Sequence, residues 1–357
     1  MTRVLVRSLL GLVVLAAAGL TGWRVLRPAE VLAPATDPYP AAVRRGPGVV
    51  GELASAPLIV GGRIRVFGAK RQVKADAPVD GKVEYTPRWS LRRWPQQVSG
   101  VVVIGSTVVS RWSDGQIVAI DGRTGLIAWR VDGPPVGGFR DAATAVWAPP
   151  GLVTAGTTVL ITGGGRVRGL DVGTGAVRWQ GDCRAAVFAT RGGQFVCGAE
   201  VRDAATGAVL RGWPAGPFTA LGCDVAWSGC RGLRDAAGFG WQTLAATPRR
   251  AVGLDVPGST VFLELALIAG PSGLVARSAA SGGELWRWAG PGATVLGSGQ
   301  AAIYVLTADR QLVSLDASTG DVLAQVPLDA EGEPSGWQVA DGYVAVAFPE
   351  TVVLAAI

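Results

Sequence analysis

A short strand–turn–strand unit recurs along this chain, and the recurrence restricts the fold more than any other feature. Its clearest copy is residues 116–131, QIVAIDGRTGLIAWRV. Ile117, Val118 and Ile120 form an apolar run, and Asp121 to Gly125 reads as a tight turn whose glycine supplies a positive φ. Trp129 follows on the next strand. Asp171, Gly175 and Trp179 repeat the same spacing. Further copies are Asp203 and Gly207 with Arg211 in the tryptophan position, Ser278, Gly282 and Trp286, and Asp316 and Gly320 with Ala324. An earlier copy, residues 73–85, keeps Gly81 and Tyr85 with its acid, Asp76, one place early. A worn copy at 233–242 keeps Asp235.

The turn glycines lie roughly 30 to 50 residues apart, a period typical of solenoids and propellers. Each period holds about four short apolar runs and no amphipathic helical pattern, which selects an all-β propeller of four-stranded blades. Seven blade-like stretches run from residue 56 to 326, and three more strand-like runs close the chain. Residues 49–53, VVGEL, are the candidate strand to complete that last blade and seal the ring. Eight blades are therefore expected, with seven as the alternative.

Composition removes several chemistries. The chain has no histidine, so Ser-His-Asp and Cys-His catalysis are excluded. The net charge of +6 is carried almost wholly by arginine and includes no basic run of five, so nucleic acid is not expected as a partner. Asp121, Asp171, Asp203 and Asp316 sit at equivalent turns, where an aspartate caps nearby backbone N–H groups. That repetition is a folding signature, whereas catalytic carboxylates would converge on one place. The glycine runs 163–165 and 192–193 lack the lysine and helix of a phosphate loop.

The recurring pattern apolar-x-Ala/Gly-Leu/Ile-Asp-x-x-Thr-Gly-x-apolar-x-Trp resembles the blade motif of quinoprotein-type, or PQQ-like, propellers. Relatives include quinoprotein alcohol dehydrogenases and the lipoprotein propeller of outer-membrane protein assembly. The resemblance covers residues 57–357 and implies that Trp129, Trp179 and Trp286 pack between neighbouring blades. In the enzymes of this family, PQQ and Ca²⁺ are held with a disulfide of neighbouring cysteines, a tryptophan and a Glu/Asn/Asp cluster. This chain has no adjacent cysteine pair and no asparagine. No cofactor, metal ligand or catalytic residue is assigned, and a scaffold that binds a protein or a cell-envelope polymer is the expected function. A divergent PQQ-dependent dehydrogenase and a ligand- or carbohydrate-sensing propeller are the alternatives.

The expected domain order is a signal-anchor or signal peptide over 1–28, a Pro-rich linker over 29–48, and the propeller over 49–357. Arg3 and Arg7 precede an uncharged run from Ser8 to Trp23, and Arg24 and Arg27 follow it. This reads as a single-pass anchor with the propeller on the extracytoplasmic side; secretion after cleavage is the alternative. Four cysteines in an exported chain suggest disulfides, with three pairings possible. Cys183–Cys197 would tie adjacent strands of one blade, and Cys223–Cys230 would staple the hairpin of the worn blade. Their spacing does not match a zinc knuckle. Arg88, Trp89, Arg92, Arg93 and Trp94 interleave cations and aromatics and form a possible binding patch; an outer strand with one apolar face is the plainer reading.

Overall fold

The computed structural model describes residues 11–22, 29–84 and 87–357. It is an eight-bladed β-propeller, as the repeat period predicts. Blades 1 to 7 span residues 57–94, 98–132, 152–182, 187–203, 219–250, 260–289 and 293–327. Blade 8 combines Gly336–Ala340, Tyr343–Ala347 and Val352–Ala356 with Gly48–Leu53 as its outermost strand. The ring is thus closed by the segment expected to close it. Sealing by backbone hydrogen bonds removes the free edge that an open ring would leave.

Each blade runs outward from the axis. First strands such as Pro57–Val60, Val98–Ile104 and Gly336–Ala340 contribute to the lining near the axis. Turns joining first to second strands and third to fourth strands share one face, here the hairpin face; Gly122 N–H, for example, donates to Ser106 O. Second-to-third turns and blade connections occupy the other, the connection face. Middle strands are buried on both sides, as in Ile64–Ala69 and Gln311–Asp316, so they carry continuous apolar runs.

The repeated residues form one interlocking device. Asp121, Asp171, Asp203 and Asp316 accept backbone N–H groups two or three residues on, at 2.8–3.0 Å. The indole N–H of Trp129 reaches into the next blade and donates to Val172 O at 2.7 Å. Trp179 does the same to Ala204 O and Trp286 to Ala317 O, each at 2.9 Å. Their rings cover the next blade's turn glycine: a Cβ on Gly175, Gly207 or Gly320 would lie 2.5–2.6 Å from a ring atom. Glycine is therefore required twice, for φ values of +73° to +78° and for space. A β-bulge precedes each of these tryptophans, leaving Ala128, Arg178 and Leu285 unpaired. Bulges re-aim side chains, here toward the neighbouring blade. Burying one indole removes roughly 150–250 Å² of surface, an upper bound of about 4–6 kcal/mol per lock.

Several expectations need correction. The tryptophan of blade 1 is Trp89, fully buried, donating to Gly122 O at 2.9 Å and covering Gly125. Tyr85, read from spacing as its equivalent, lies outside the described residues. Among the described residues Asp76 caps no such turn; it is buried in a two-pronged ion pair with Arg65, at 2.9 and 2.8 Å. Asp235 accepts from Ala237 and Phe239 N–H, but its turn joins the second and third strands of blade 5. Blade 4 has three strands, with a single bridge, Arg202 to Val209, where the fourth would lie.

Both disulfides form in the pairing favoured by the sequence. Cys223–Cys230 closes the loop between the first two strands of blade 5. Cys183–Cys197 does not tie two strands of one blade. Cys183 lies just past Val177–Asp182 of blade 3, on the connection to blade 4, and is fastened to the second strand of that blade.

The segment expected as a linker lies along the propeller. Ala29–Ala33 pairs antiparallel with Trp89–Trp94, giving blade 1 a fifth strand. Glu30 bridges Arg93 of blade 1 and Arg130 of blade 2. Residues 34–47 then cross the hairpin face, held by Ala35 N–H on Thr124 O, Arg88 on Pro38 O, and Tyr343 Oη on Val43 O. Of the expected leader, residues 11–22 are helical, while 1–10 and 23–28 lie outside the described residues. Among the described residues no helix is long and apolar enough to cross a membrane.

Candidate functional site

The basic–aromatic stretch 88–94 does not assemble into one exposed patch. Trp89 is the buried inter-blade lock, and Arg88 is spent on the carbonyls of Asp37 and Pro38. Arg93 pairs with Glu30 and Asp114, and Trp94 is covered by the Arg71 guanidinium at 3.9 Å. Arg92 alone is left exposed. The plainer reading, an outer strand, fits this placement, with the Ala29–Ala33 strand laid over its edge.

The concave feature of the molecule is a bowl of about 1170 Å³ at the centre of the hairpin face. Arg44 and Arg45 on the crossing segment form one wall, and Arg191 and Arg231 stand on the side of blades 4 and 5. Arg45 pairs with Asp80, and Arg231 with Asp224 at 2.9 Å. Arg44 and Arg191 are exposed and have no ion pair among the described residues. Burial pushes the phenols of Tyr304 and Tyr343 up from their ordinary pKa, so both remain neutral around neutral pH. Leu244, Leu263 and Leu323 expose their side chains on the lining, between 36 % and 57 %. Water-exposed leucine on a concave rim, beside unpaired guanidinium groups, suits a partner with both apolar and acidic groups.

Backbone strain is found at this rim, as it is at Ala226 and Trp227 in the blade 5 loop and at Arg310. Leu263 and Glu264 fill both central positions of a two-residue hairpin with φ of +49° and +63°. Such turns select Gly, Asn or Asp, because a Cβ in the left-handed region costs about 1–2 kcal/mol per residue. Asp341–Gly342 makes the corresponding turn in blade 8 with favoured residues, and Asp341 also accepts Gly62 N–H at 3.1 Å. No repeat signal marks Leu263 or Glu264; only the two-residue gap between apolar runs could have drawn attention to them.

The axis itself is plugged. A short helix, Ala142–Trp147, leaves the connection between blades 2 and 3 and packs on the first strands of blades 1, 2 and 8. Asp141 caps it through Thr144 N–H at 2.7 Å, and Trp147 donates to Pro57 O. From blade 5, the disulfide-closed loop brings Val225 and Ala226 against that helix, with Ser228 Oγ accepting Thr154 N–H at 2.9 Å. A cavity of about 390 Å³ remains, lined chiefly by Ile59, Val60, Val102, Val146 and Ala226, with Gln338 as its buried polar side chain. PQQ is a tricarboxylate and needs cationic and metal-ligating side chains. The lining of this cavity offers no cation and a single carboxylate, Asp341, and no cluster of three His, Cys, Asp or Glu occurs among the described residues. This cavity does not fit that cofactor.

No curated protein matches the chain in sequence. Among solved structures, the computationally designed Ika8 protein matches with a TM-score of 0.52 at 19% identity, covering 87% of this chain and 99% of that one. The C-terminal WD40 domain of Sif2 gives 0.51 at 12% identity over 88% and 99%. BamB from Moraxella catarrhalis gives 0.48 at 17% identity over 92% and 98%. At these identities the likeness to the first two is one of fold. The family model described as outer membrane protein assembly factor BamB matches residues 11–212 and 271–356. The unmatched interval contains all of blade 5, the blade whose repeat is worn and whose loop is disulfide-closed. With well over half of its residues matched, the chain belongs to this PQQ-like propeller family.

Proposed function

We propose that the protein is a non-enzymatic, extracytoplasmic scaffold, tethered by its N-terminal segment, that binds a protein partner in the bowl. The observation that carries this reading is the rim: exposed Leu244, Leu263 and Leu323 beside Arg44 and Arg191, which have no ion pair among the described residues, with Leu263 on a turn held against its backbone preference. Strain retained at an exposed turn argues for a role in recognition, since folding alone would favour glycine there. Two disulfides fit an oxidising compartment, which supports the extracytoplasmic location. The family's own description, an assembly factor, agrees with a scaffold role. An envelope polymer is the second class of occupant raised by the sequence, but exposed leucines favour a protein over a hydrated glycan.

The test is a photoreactive side chain at Gln300, on the bowl lining. It should capture a defined protein in envelope preparations. Leu263→Asp with Leu323→Asp should abolish that capture while leaving the melting temperature within a few degrees. Capture that persists in the double variant would remove the bowl from the reading.

A further inference from the structure

The path of the chain before the propeller sets the face at which its N-terminal segment arrives. Ala29 pairs with Trp94, at the connection-face end of blade 1, and Ala33 pairs with Ser90 at the opposite end. The N-terminal segment therefore arrives on the connection face, descends the rim as the fifth strand, and only then crosses the hairpin face to the bowl. Residues 23–28, fully extended, reach at most about 20 Å. The apolar stretch 11–22, which exposes Leu12, Val13, Val14, Leu15 and Leu20, is thus tied close to this face.

The charge on that side of blades 1 to 3 is consistent with the tether. Lys70 and Arg71 form the second-to-third turn of blade 1, beside Trp94 and next to the entry of Ala29. Arg140 lies on the connection from blade 2 to blade 3, and Arg184 on the connection from blade 3 to blade 4; both are exposed. Lys70, Arg140 and Arg184 have no ion pair among the described residues. Asp114 and Asp182 pair with Arg93 and Arg166. Asp141, hydrogen-bonded by Thr144, and Asp132 have no ion pair among the described residues, which leaves two such acids beside three such cations. Unpaired cations outnumber unpaired acids there, and anionic headgroups attract cations within about a Debye length, roughly 8 Å.

We propose that the connection face of blades 1 to 3 lies against anionic lipid headgroups, so that the bowl opens away from the bilayer. This rests on the tethered reading given above. Its consequence is geometric: a partner reaches the bowl from the aqueous compartment, and the bilayer does not compete for the leucine rim.

The experiment uses the full chain in vesicles of phosphatidylcholine with or without phosphatidylglycerol. A photoreactive side chain is placed at Gly137, exposed on the connection face with open space around its Cα, or at Gln300 in the bowl. Position 137 should label lipid on the anionic vesicles and position 300 should not. Lys70→Gln with Arg140→Gln should lower that labelling by about fivefold per charge removed, without changing the melting temperature. Labelling from 300 in place of 137 overturns the orientation and leaves the tether standing. Equal labelling from 137 on uncharged vesicles overturns the headgroup contact. A chain that fails to float with either vesicle overturns the tether, and this inference with it.

Discussion

Between blades 2 and 3 the contact is an indole: Trp129 covers Gly175 and donates to Val172 O. Between blades 5 and 6 the equivalent glycine, Gly282, has the same backbone, φ +75° against +73°, but faces Val252 Cγ1 at 3.4 Å. Blade 5 has lost the Trp–Gly device; in its place the turn Val252–Asp255 donates Gly253 N–H to Ala279 O of blade 6 at 3.0 Å, while its disulfide-closed loop packs at the axis. The equivalent carbonyl is thus reached by two means. One is an indole repeated by sequence; the other is a backbone turn particular to blade 5. The locked contact depends on shape at one atom pair, whereas the contact of blade 5 depends on the path of its main chain.

The sharpest way to break this comparison is alanine at the two glycines. Gly282→Ala should cost about 1–2 kcal/mol, the left-handed backbone alone. Gly175→Ala adds a Cβ placed 2.6 Å from the Trp129 ring and should cost roughly 3–4 kcal/mol. Urea titration reads both. Equal losses would mean that the indole is not held where the structure places it.

Next in size is the stapled loop. Cys223→Ser with Cys230→Ser should cost about 2.5 kcal/mol, the loop-closure value for so short a ring. Amide exchange should rise in residues 223–230 and in Ala142–Trp147, which the loop touches, and not at the Trp129 lock. A uniform rise across all blades would show that blade 5 is not a separate unit.

The rim strain gives a gain instead of a loss. Leu263→Asn with Glu264→Gly should stabilise the fold by about 1–2 kcal/mol, because those residues tolerate the left-handed turn. Capture of a partner from position 300 should fall in the same variant. A gain in stability with binding intact would make the strain incidental.

The smallest effect concerns the fifth strand of blade 1. A hydrogen bond from Arg130, aided by its charge and that of Arg93, holds the Glu30 carboxyl below its ordinary pKa. A depressed carboxyl stabilises the fold above its unfolded pKa and loses that contribution as pH falls through its folded value. Below about pH 4.5 the Ala29–Ala33 strand should begin to loosen. The loss is only a few tenths of a kcal/mol, since the pair is partly solvated. Proteolysis within 29–47 at acid and neutral pH measures it, and Glu30→Gln should remove the pH dependence.

Much of the architecture was legible because the repeat is written in local rules. Asp121 and Gly125 make their turn from their own residues, so spacing alone located them. Small residues two places before the aspartate, Ala119 and Gly169, were visible as a pattern without a reason. The reason is cross-strand: they sit opposite Trp129 and Trp179, and a Cβ on Gly169 would lie 2.4 Å from the indole. Trp89 was misplaced because the chain between Asp76 and Trp89 is longer than in other copies, so counting residues led to Tyr85. The bowl was not legible at all. Arg44, Arg191, Leu263 and Leu323 come from four separate stretches with no shared motif.

By itself, the sequence determined that the chain forms a ring of β blades closed by its own N-terminal strand and clamped by two disulfides. Periodicity, turn chemistry and cysteine count suffice for that, since each acts over a few residues or recurs. Tertiary structure alone decided that the 29–47 segment is a fifth strand and a wall of the bowl, that the axis is plugged, and that Ala29 enters on the face opposite the bowl. Those outcomes depend on contacts between residues up to 300 apart in sequence, such as Tyr343 with Val43. Local pattern carries no record of which distant side chain will fill a given space.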